Sequence, residues 1–246
     1  MIDASLHYSG KTVCIIGGSS GIGNATAQAF RARGAEVHVT GTRASAADYD
    51  PDEGSDLEGL NFHQLDAGDD AAIIALRQKF EKLDILVCSQ GMVMYKRAEF
   101  EPENFARVVQ INLNSLMTCA GQFHDLLKET QGSLIIISST AAFHATVGNP
   151  GYNASKAGAA GLTRTLGKAW AADGIRVNGI APGLIATKMT KVTTDNPKRR
   201  EATIRSIPMG RIGDPDDMAG LALFLASPLA GYIVGQTIIA DGGLLL

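Results

Sequence analysis

The side chains best suited to chemistry in this sequence are a tyrosine and a lysine four residues apart. Tyr152 and Lys156 stand at the start of a predicted helix, where i, i+4 spacing places both on one face. A phenol titrates near ~10, and a neighbouring ammonium favours the phenolate. Ser139, thirteen residues before Tyr152, ends a predicted strand and can donate a hydrogen bond to a carbonyl. Together they predict acid–base catalysis, whereas Tyr-x-x-x-Lys alone is more often an exposed helix pair.

A second candidate site is the glycine-rich stretch between the first predicted strand and the first predicted helix. Gly17, Gly21 and Gly23 follow the pattern G-x-x-x-G-x-G. Such a joint turns sharply, lets a phosphate approach the backbone and aims a helix N-terminus at negative charge. The spacing differs from the commoner G-x-G-x-x-G fingerprint. It predicts a pyrophosphate site, with an ordinary structural turn as the alternative.

Strands alternating with helices must position these residues. Apolar runs rich in β-branched residues predict strands at 11–16, 35–40, 60–65, 84–88, 134–138, 175–180 and 236–240. Helical periodicity predicts helices at 21–32, 69–82, 101–128 and 151–172, and the Asp-rich stretch 44–59 is expected to be an exposed loop or a degenerate helix. The alternation indicates a parallel sheet with both faces covered and ligands at the carboxyl ends of the strands. No repeat or linker divides the chain, so 1–246 is predicted to be one α/β domain.

Bulk composition argues against several classes of function. The chain has 246 residues, of which 45% are hydrophobic, enough for a substantial core. Because 22 Lys plus Arg face 25 Asp plus Glu, no global attraction to nucleic acid or to an anionic membrane is expected. No signal-peptide run or membrane-spanning stretch is present in the sequence. Cys14, Cys88 and Cys119 lack metal-ligand spacing, which predicts reduced core thiols in a cytoplasmic protein without a metal site.

The sequence resembles the short-chain dehydrogenase/reductase family over essentially its whole length. Ordered matches at family-like intervals are more specific than any single motif. The resemblance implies a Rossmann-type doubly wound fold with a mainly parallel, seven-stranded sheet, a nicotinamide cofactor, and hydride exchange between an alcohol and a carbonyl. The matching elements, in chain order, are Gly17-x-x-x-Gly21-Ile22-Gly23, Asp66, Asp84-Ile85-Leu86-Val87, Gly91, Asn112-Leu113, Ser138-Ser139, Tyr152-Asn153-Ala154-Ser155-Lys156, Arg176-Val177-Asn178, Pro182-Gly183, Gly210-Arg211, Asp214-Pro215 and Asp241-Gly242-Gly243.

The resemblance also implies roles for individual residues. Tyr152 is the acid/base, Lys156 lowers its pKa and holds the nicotinamide ribose, and Ser139 orients the substrate oxygen. Asn112 falls where the family keeps a water-linked proton relay to Lys156, with a satisfied structural amide as the alternative. The residues expected to bind the cofactor are Gly17, Ser19, Ser20, Gly21, Ile22, Gly23, Thr42, Arg43, Asp66, Ala67, Ser89, Gln90, Gly91, Tyr152, Lys156, Pro182, Gly183, Ile185 and Thr187.

Two departures from the family pattern fall in the cofactor site. Ile16 stands where the family usually has a threonine whose hydroxyl braces the glycine turn. The loop after the fourth strand usually reads Asn-Asn-Ala-Gly, and here it is Cys88-Ser89-Gln90-Gly91. These changes predict altered bracing around the adenosine and leave the catalytic set intact.

The end of the second predicted strand bears on the choice of cofactor. NAD enzymes usually have an acid there, but this chain has Gly41-Thr42-Arg43 and its next acid is Asp48. A hydroxyl and a guanidinium suit a 2′-phosphate, so NADP(H) is favoured and NAD(H) is the alternative. If Arg43 instead stacks on adenine, it serves either cofactor.

The resemblance also implies a lid formed by 185–209, and the substrate is expected to bind beneath it, in contact with Ser139, Phe143, His144, Tyr152 and Met189. The lid is rich in basic residues, which indicate either an anionic substrate or, more commonly, a solvated helix face. They are Lys188, Lys191, Lys198, Arg199, Arg200 and Arg205.

These features predict an NAD(P)(H)-dependent oxidoreductase acting on a small secondary alcohol or ketone. One alternative is a 3-oxoacyl reductase acting on acyl-carrier-protein or CoA thioesters. Carrier-dependent enzymes generally have basic residues around the carrier dock, where this chain has Thr130-Gln131 and Asp173. A non-catalytic dinucleotide sensor is a further alternative, but it has little reason to keep the catalytic set. Family members commonly form tetramers, so a homotetramer is expected.

Overall fold

In the computed structural model, which describes residues 4–246, seven strands form one parallel sheet in the order β3-β2-β1-β4-β5-β6-β7. The order changes direction between β1 and β4, which is where open α/β sheets bind ligands. The predicted doubly wound architecture is confirmed. The strands are β1 (Thr12–Ile16), β2 (Glu36–Gly41), β3 (Asn61–Gln64), β4 (Ile85–Cys88), β5 (Ser133–Ile137), β6 (Arg176–Pro182) and β7 (Thr237–Ala240).

Eight α-helices are formed within the described residues. In this part of the chain none of them is long and apolar enough to cross a membrane. The helices are α1 (Gly21–Arg31), α2 (Asp70–Arg77), α3 (Pro102–Val109), α4 (Ser115–Thr130), α5 (Pro150–Trp170), α6 (Lys191–Thr194), α7 (Pro197–Ser206) and α8 (Pro215–Ala226).

Both faces of the sheet are covered, because successive residues of each strand point to opposite sides. On one face Ile16, Cys88 and Ile136 pack with Phe123 of α4. The other face buries a second set of strand residues against Phe30 of α1 and against α8. This two-sided burial holds the strand ends in fixed positions relative to one another.

The helices differ from the prediction in one division and in one helix that was missed before the last strand. The helix expected at 101–128 is divided into α3 and α4 by a π-helical turn, Gln110–Asn114. Helix α8 was not predicted, because its apolar residues show no single stripe. Its start nevertheless has a clear signal: the Asp214 and Asp217 side chains form a capping box around Pro215.

Candidate active site

The carboxyl ends of the central strands border a cleft of 480 Å³. It lies at the switch point between β1 and β4, where the topology places a ligand. The predicted site residues that line this cleft are Gly17, Ser19, Ser20, Gly21, Ile22, Thr42, Asp66, Ala67, Ser89, Gln90, Gly91, Ser139, Tyr152, Lys156, Pro182, Gly183, Ile185, Thr187 and Met189.

The turn between β1 and α1 is shaped to admit a phosphate. Gly17 and Gly21 have φ of +76° and +54°, a region that favours glycine. A β-carbon at Gly17 would lie 2.8 Å from the Gln90 backbone, and one at Gly23 would overlap the Gly17 carbonyl. Ser20, the N-cap of α1, makes no side-chain capping bond, so this helix N-terminus keeps donors for a ligand. Gly23 does not line the cleft; its missing side chain leaves room for the Gly17 carbonyl inside the turn.

The hydroxyl missing at position 16 is supplied by the neighbouring strand. The Gly17 N–H donates to Thr40 Oγ1 of β2 at 3.0 Å. In the loop after β4, Gln90 Nε2 donates to Ser115 Oγ at 2.9 Å. Gln90 Oε1 is buried without a hydrogen-bond partner among the described residues. The turn is thus braced differently from the family pattern, and one buried acceptor remains beside the cleft.

The end of β2 has no space for the acid that is typical of NAD enzymes. A β-carbon at Gly41 would overlap the Tyr49 hydroxyl and lie 2.6 Å from Ser19 Oγ. The Arg43 N–H donates to the Tyr49 hydroxyl at 3.1 Å, and its guanidinium lies 4.9 Å from the centre of that ring. The guanidinium also donates to the Asp48 carbonyl. Arg43, predicted to contact the cofactor, therefore folds onto its own loop and does not line the cleft.

Ser139, Tyr152 and Lys156 meet at one end of the cleft. Ser139 follows β5, and its hydroxyl lies close enough to the Tyr152 phenol to affect the pKa of that phenol. Lys156 is 4% exposed and donates to the Ile137 carbonyl at 2.9 Å. Its Nζ lies 5.7 Å from the centre of the Tyr152 ring. The three groups singled out by spacing are therefore adjacent in space.

Burial dominates the protonation of both ionisable groups. Burial raises the pKa of Tyr152, the Ser139 hydroxyl lowers it, and Tyr95 and Glu99 raise it. Burial lowers the pKa of Lys156 to about 8. Because burial raises its pKa, Tyr152 is a neutral phenol, and hence a proton donor, near pH 7. The Lys156 amine donates to a backbone carbonyl, and its lowering of the Tyr152 pKa stays a prediction.

Asn112 lies in the π-helical turn, a feature often found at functional sites. Its Oδ1 accepts from the Met92 N–H at 2.8 Å, and its Nδ2 donates to the Met92 carbonyl at 2.9 Å and to Ser155 Oγ at 3.1 Å. These contacts match the structural-amide alternative. A β-carbon at Gly91 would lie 3.5 Å from Lys156 Nζ and 3.6 Å from Asn112 Oδ1, so a small space connects the two.

The segment after β6 packs over the cleft. The Tyr95 hydroxyl donates to the Met189 carbonyl at 2.7 Å. Lys188 lines the cleft and forms an ion pair with Glu53 at 3.1 Å. Helix α7 contains no buried residue, so its basic side chains form the solvated face that charge patterning favoured.

Two of the residues predicted to contact the substrate do not line the cleft. Phe143 and His144 are exposed beyond its lining, and His144 Nδ1 is hydrogen bonded with the Thr140 carbonyl at 2.9 Å. As substrate contacts they stay predictions.

Within 4–246, no cluster of three or more His, Cys, Asp or Glu side chains is placed to hold a metal ion. The lining residues that were missed are mostly chain neighbours or helix-turn neighbours of predicted ones: Leu65, Arg107, Ile111, Ile137 and Thr190.

Sequence relatives extend over almost the whole chain. Residues 17–245 match the family model described as enoyl-(acyl carrier protein) reductase. The chain is 37% identical to a 3-oxoacyl-[acyl-carrier-protein] reductase of Chlamydia pneumoniae, over 96% of this chain and 97% of that protein. It is 38% identical to a 2-dehydro-3-deoxy-D-gluconate 5-dehydrogenase of Bacillus subtilis, over 95% of this chain and 94% of that protein.

Solved structures agree with the sequence relatives. The RhlG/NADP active-site complex of Pseudomonas aeruginosa superposes with a TM-score of 0.89 at 31% identity, covering 100% of both chains. A gluconate 5-dehydrogenase of Burkholderia cenocepacia in complex with NADP and tartrate superposes with a TM-score of 0.87 at 28% identity, covering 98% of this chain and 97% of that one. With the glycine turn and the serine–tyrosine–lysine site in place, this chain belongs to the short-chain dehydrogenase/reductase family of oxidoreductases.

Proposed function

We propose that this chain is an NADP(H)-dependent dehydrogenase or reductase of a small secondary alcohol or ketone. The observation that carries the proposal is the meeting of Ser139, Tyr152 and Lys156 in the cleft that also contains the glycine turn. The turn fits a diphosphate because its glycines leave the backbone accessible and α1 begins beside it. The unused Gln90 Oε1 offers an acceptor beside the same cleft.

A nicotinamide cofactor bound in this cleft supplies or accepts the hydride at the substrate carbon. Tyr152 donates its phenolic proton to the carbonyl oxygen in reduction and removes it from the alcohol in oxidation. Ser139 donates to the same oxygen and stabilises the charge that develops there. Lys156 is buried next to the phenol, where it is suited to holding ribose hydroxyls. The space at Gly91, between Lys156 and Asn112, is suited to a water that passes protons to the surface.

The surroundings of Gly41 support NADP(H) over NAD(H). The position where an acid would hold the adenosine ribose hydroxyls is filled by the Tyr49 hydroxyl and Ser19. Arg43 lies two residues after this position, and its guanidinium contacts the Tyr49 ring and the Asp48 carbonyl. A 2′-phosphate is a stronger partner for a guanidinium than either of these.

The walls of the cleft include apolar side chains that suit a small substrate. Met92 and Met189 line the cleft, and Tyr95 is tied to the lid above it. Besides Lys156, two cations line the cleft: Lys188, in the lid, is paired with Glu53, whereas Arg107 of α3 forms no ion pair among the described residues.

Reduction of 3-oxoacyl thioesters is the second candidate, supported by the relative from Chlamydia pneumoniae. The surface expected to receive a carrier protein argues against that partner. There Asp173 is paired with Lys128 at 2.7 Å and hydrogen bonded with His124 at 3.1 Å. An acid whose neighbouring lysine is already paired with it presents little attraction to an acidic carrier.

The test is a turnover assay with NADPH and NADH over cyclohexanone, acetophenone, acetoacetyl-CoA and an acetoacetyl carrier protein. We expect the simple ketones to be reduced, and Tyr152→Phe to lose at least a thousandfold in kcat, within the range of general acid–base effects combined with orientation. Tyr232→Phe, at a fully exposed tyrosine, is the matched control. Absence of turnover with every ketone and both cofactors contradicts the proposal. Preferred use of the carrier thioester selects the second candidate.

We further propose that the chain forms a homotetramer. Met117 on α4 and Ile239 on β7 are large apolar side chains that lie exposed, and a contact between copies would bury them. Light scattering at micromolar concentration tests the assembly, and a monomer contradicts it.

A further inference from the structure

Glu99 is a buried carboxylate next to the catalytic helix, and the mechanism above does not use it. It lies in a short 3₁₀ turn, Ala98–Phe100, and is 1% exposed. No ion pair formed within the described part of the chain includes it. Burying a carboxylate without a cation is costly unless hydrogen bonds satisfy it. Its hydrogen bonds therefore indicate what the residue does.

The two carboxylate oxygens join the first turn of α5 to the segment after β4. Oε2 accepts from the Tyr152 N–H at 2.8 Å. Oε1 accepts from the Met94 N–H at 2.9 Å and from Asn149 Nδ2 at 3.3 Å. Asn149 is the N-cap of α5 but its side chain does not cap the helix. Glu99 therefore caps α5 from outside, on the amide of the residue that carries the reactive phenol.

The residues between Met94 and Glu99 also reach the lid. Tyr95 donates to the Met189 carbonyl. Lys96 and Arg97 follow with φ of +58° and +61°, conformations that cost energy in residues other than glycine. Such backbone persists where the surrounding contacts hold it, and Glu99 is the buried contact at the end of this stretch.

Helix α5 comes unusually close to Glu99. A β-carbon at Gly151 would lie 3.3 Å from Glu99 Oε2, so the glycine lets the helix approach the carboxylate. We propose that Glu99 is a positioning residue for Tyr152: its carboxylate fixes the first turn of α5 against segment 94–99 and so sets the phenol relative to Ser139 and the lid. The inference rests on the proposed function, because it concerns the same reaction.

The charge of Glu99 has a second consequence. The ionisable groups around the phenol are Lys156 on α5, and Tyr95 and Glu99 from the segment after β4. Of these, Glu99 carries the negative charge, which disfavours the Tyr152 phenolate. Removing that charge lowers the pH at which the phenolate forms, an effect that a purely structural cap would not produce.

The test is Glu99→Gln, with Glu103→Gln on the exposed start of α3 as the charge-matched control. Oxidation of cyclohexanol with NADP⁺ and reduction of cyclohexanone with NADPH are followed from pH 6 to 10. We expect Glu99→Gln to lower kcat about tenfold or more, with KM for NADPH nearly unchanged. The acid limb of the oxidation profile should move to lower pH by roughly 0.5 units. Glu103→Gln should match the wild type.

Glu99→Asp keeps the charge but shortens the reach, so it should lower kcat while leaving the acid limb in place. It also serves if Glu99→Gln does not fold. An active wild type combined with a folded Glu99→Gln of unchanged kcat and profile overturns this inference alone, as does a Glu99→Asp within twofold of wild-type kcat. A wild type inactive on every ketone overturns the proposed function as well.

Discussion

The Gly17 amide donates a 3.0 Å hydrogen bond to the Thr40 hydroxyl, which joins the glycine turn to the neighbouring strand β2. Thr40 is buried, so Thr40→Val leaves an unpaired N–H in the turn. We expect a loss of about 1–2 kcal/mol in the free energy of unfolding and a several-fold weaker Kd for NADPH. Urea unfolding and fluorescence titration measure the two effects. Thr40→Ser keeps the hydroxyl and should behave much like the wild type, and equal Kd values for Thr40→Val and wild type would show that the brace is dispensable.

Arg43 can be tested as the group that distinguishes the two cofactors. We expect Arg43→Ala to lower the ratio of kcat/KM for NADPH over NADH by about tenfold or more, because a charge-assisted contact to the 2′-phosphate is lost. Arg200→Ala, on the exposed face of α7, is the control. An unchanged ratio in Arg43→Ala would mean that the arginine serves both cofactors. Gly41→Asp should weaken both, since the new side chain would collide with Tyr49 and Ser19.

Lys156 should make stability depend on pH in a definite direction. Its folded pKa of about 8 lies below the ordinary value of 10.5, so between these pH values the unfolded chain binds the extra proton. Stability from this group therefore rises with pH across that window. Lys156→Met removes the buried charge, and we expect it to stabilise the cofactor-free protein at pH 7 by up to about 3 kcal/mol.

The advantage of Lys156→Met should shrink as the pH approaches 10.5. Urea unfolding at pH 7 and pH 9.5 measures this difference, and Lys168→Met, exposed on the same helix, is the control. A constant difference between variant and wild type at the two pH values contradicts the assignment of the shift to Lys156.

The hydrogen bond from Tyr95 to the lid predicts an effect on substrate binding. Tyr95→Phe keeps the ring and removes the donor to the Met189 carbonyl. We expect KM for the ketone to rise about threefold to tenfold with a small change in kcat, the range of one hydrogen bond of ~1 kcal/mol. Steady-state kinetics with cyclohexanone provide the measurement. A fall in kcat with constant KM would place the role of Tyr95 in the chemical step.

The sheet, the glycine turn and the tyrosine–lysine helix could be predicted because each depends on a local pattern. Continuous apolar runs predicted β1 and β4, and the turn residues from Gly17 to Gly23 follow β1 directly. Once parallel strands are predicted, topology brings their carboxyl ends together. The location of Ser139 and Tyr152 in one cleft follows from that rule.

Other features depend on contacts between distant residues, which local patterns do not report. The Thr40 hydroxyl braces the turn where the family uses a hydroxyl at residue 16. Predicting this contact would require knowing how β1 and β2 are aligned. The folding back of Arg43 depends on Tyr49, in a loop without periodicity. The π-helical turn inserts one extra residue into a turn of a helix, and the apolar pattern of 101–128 continues across it. The upward shift of the Tyr152 pKa comes mainly from burial, and burial cannot be deduced from the spacing of residues alone.

The core location of the cysteines has a practical consequence. Cys14, Cys88 and Cys119 are free and fully shielded within one layer beneath the sheet. A thiol-specific dye can reach them after the layer opens, so its rate of labelling reports how often the native protein opens at its centre. Comparing that rate with and without NADPH would measure how strongly an occupied cleft restrains the strands next to it. The experiment uses the native cysteines and needs no engineered one.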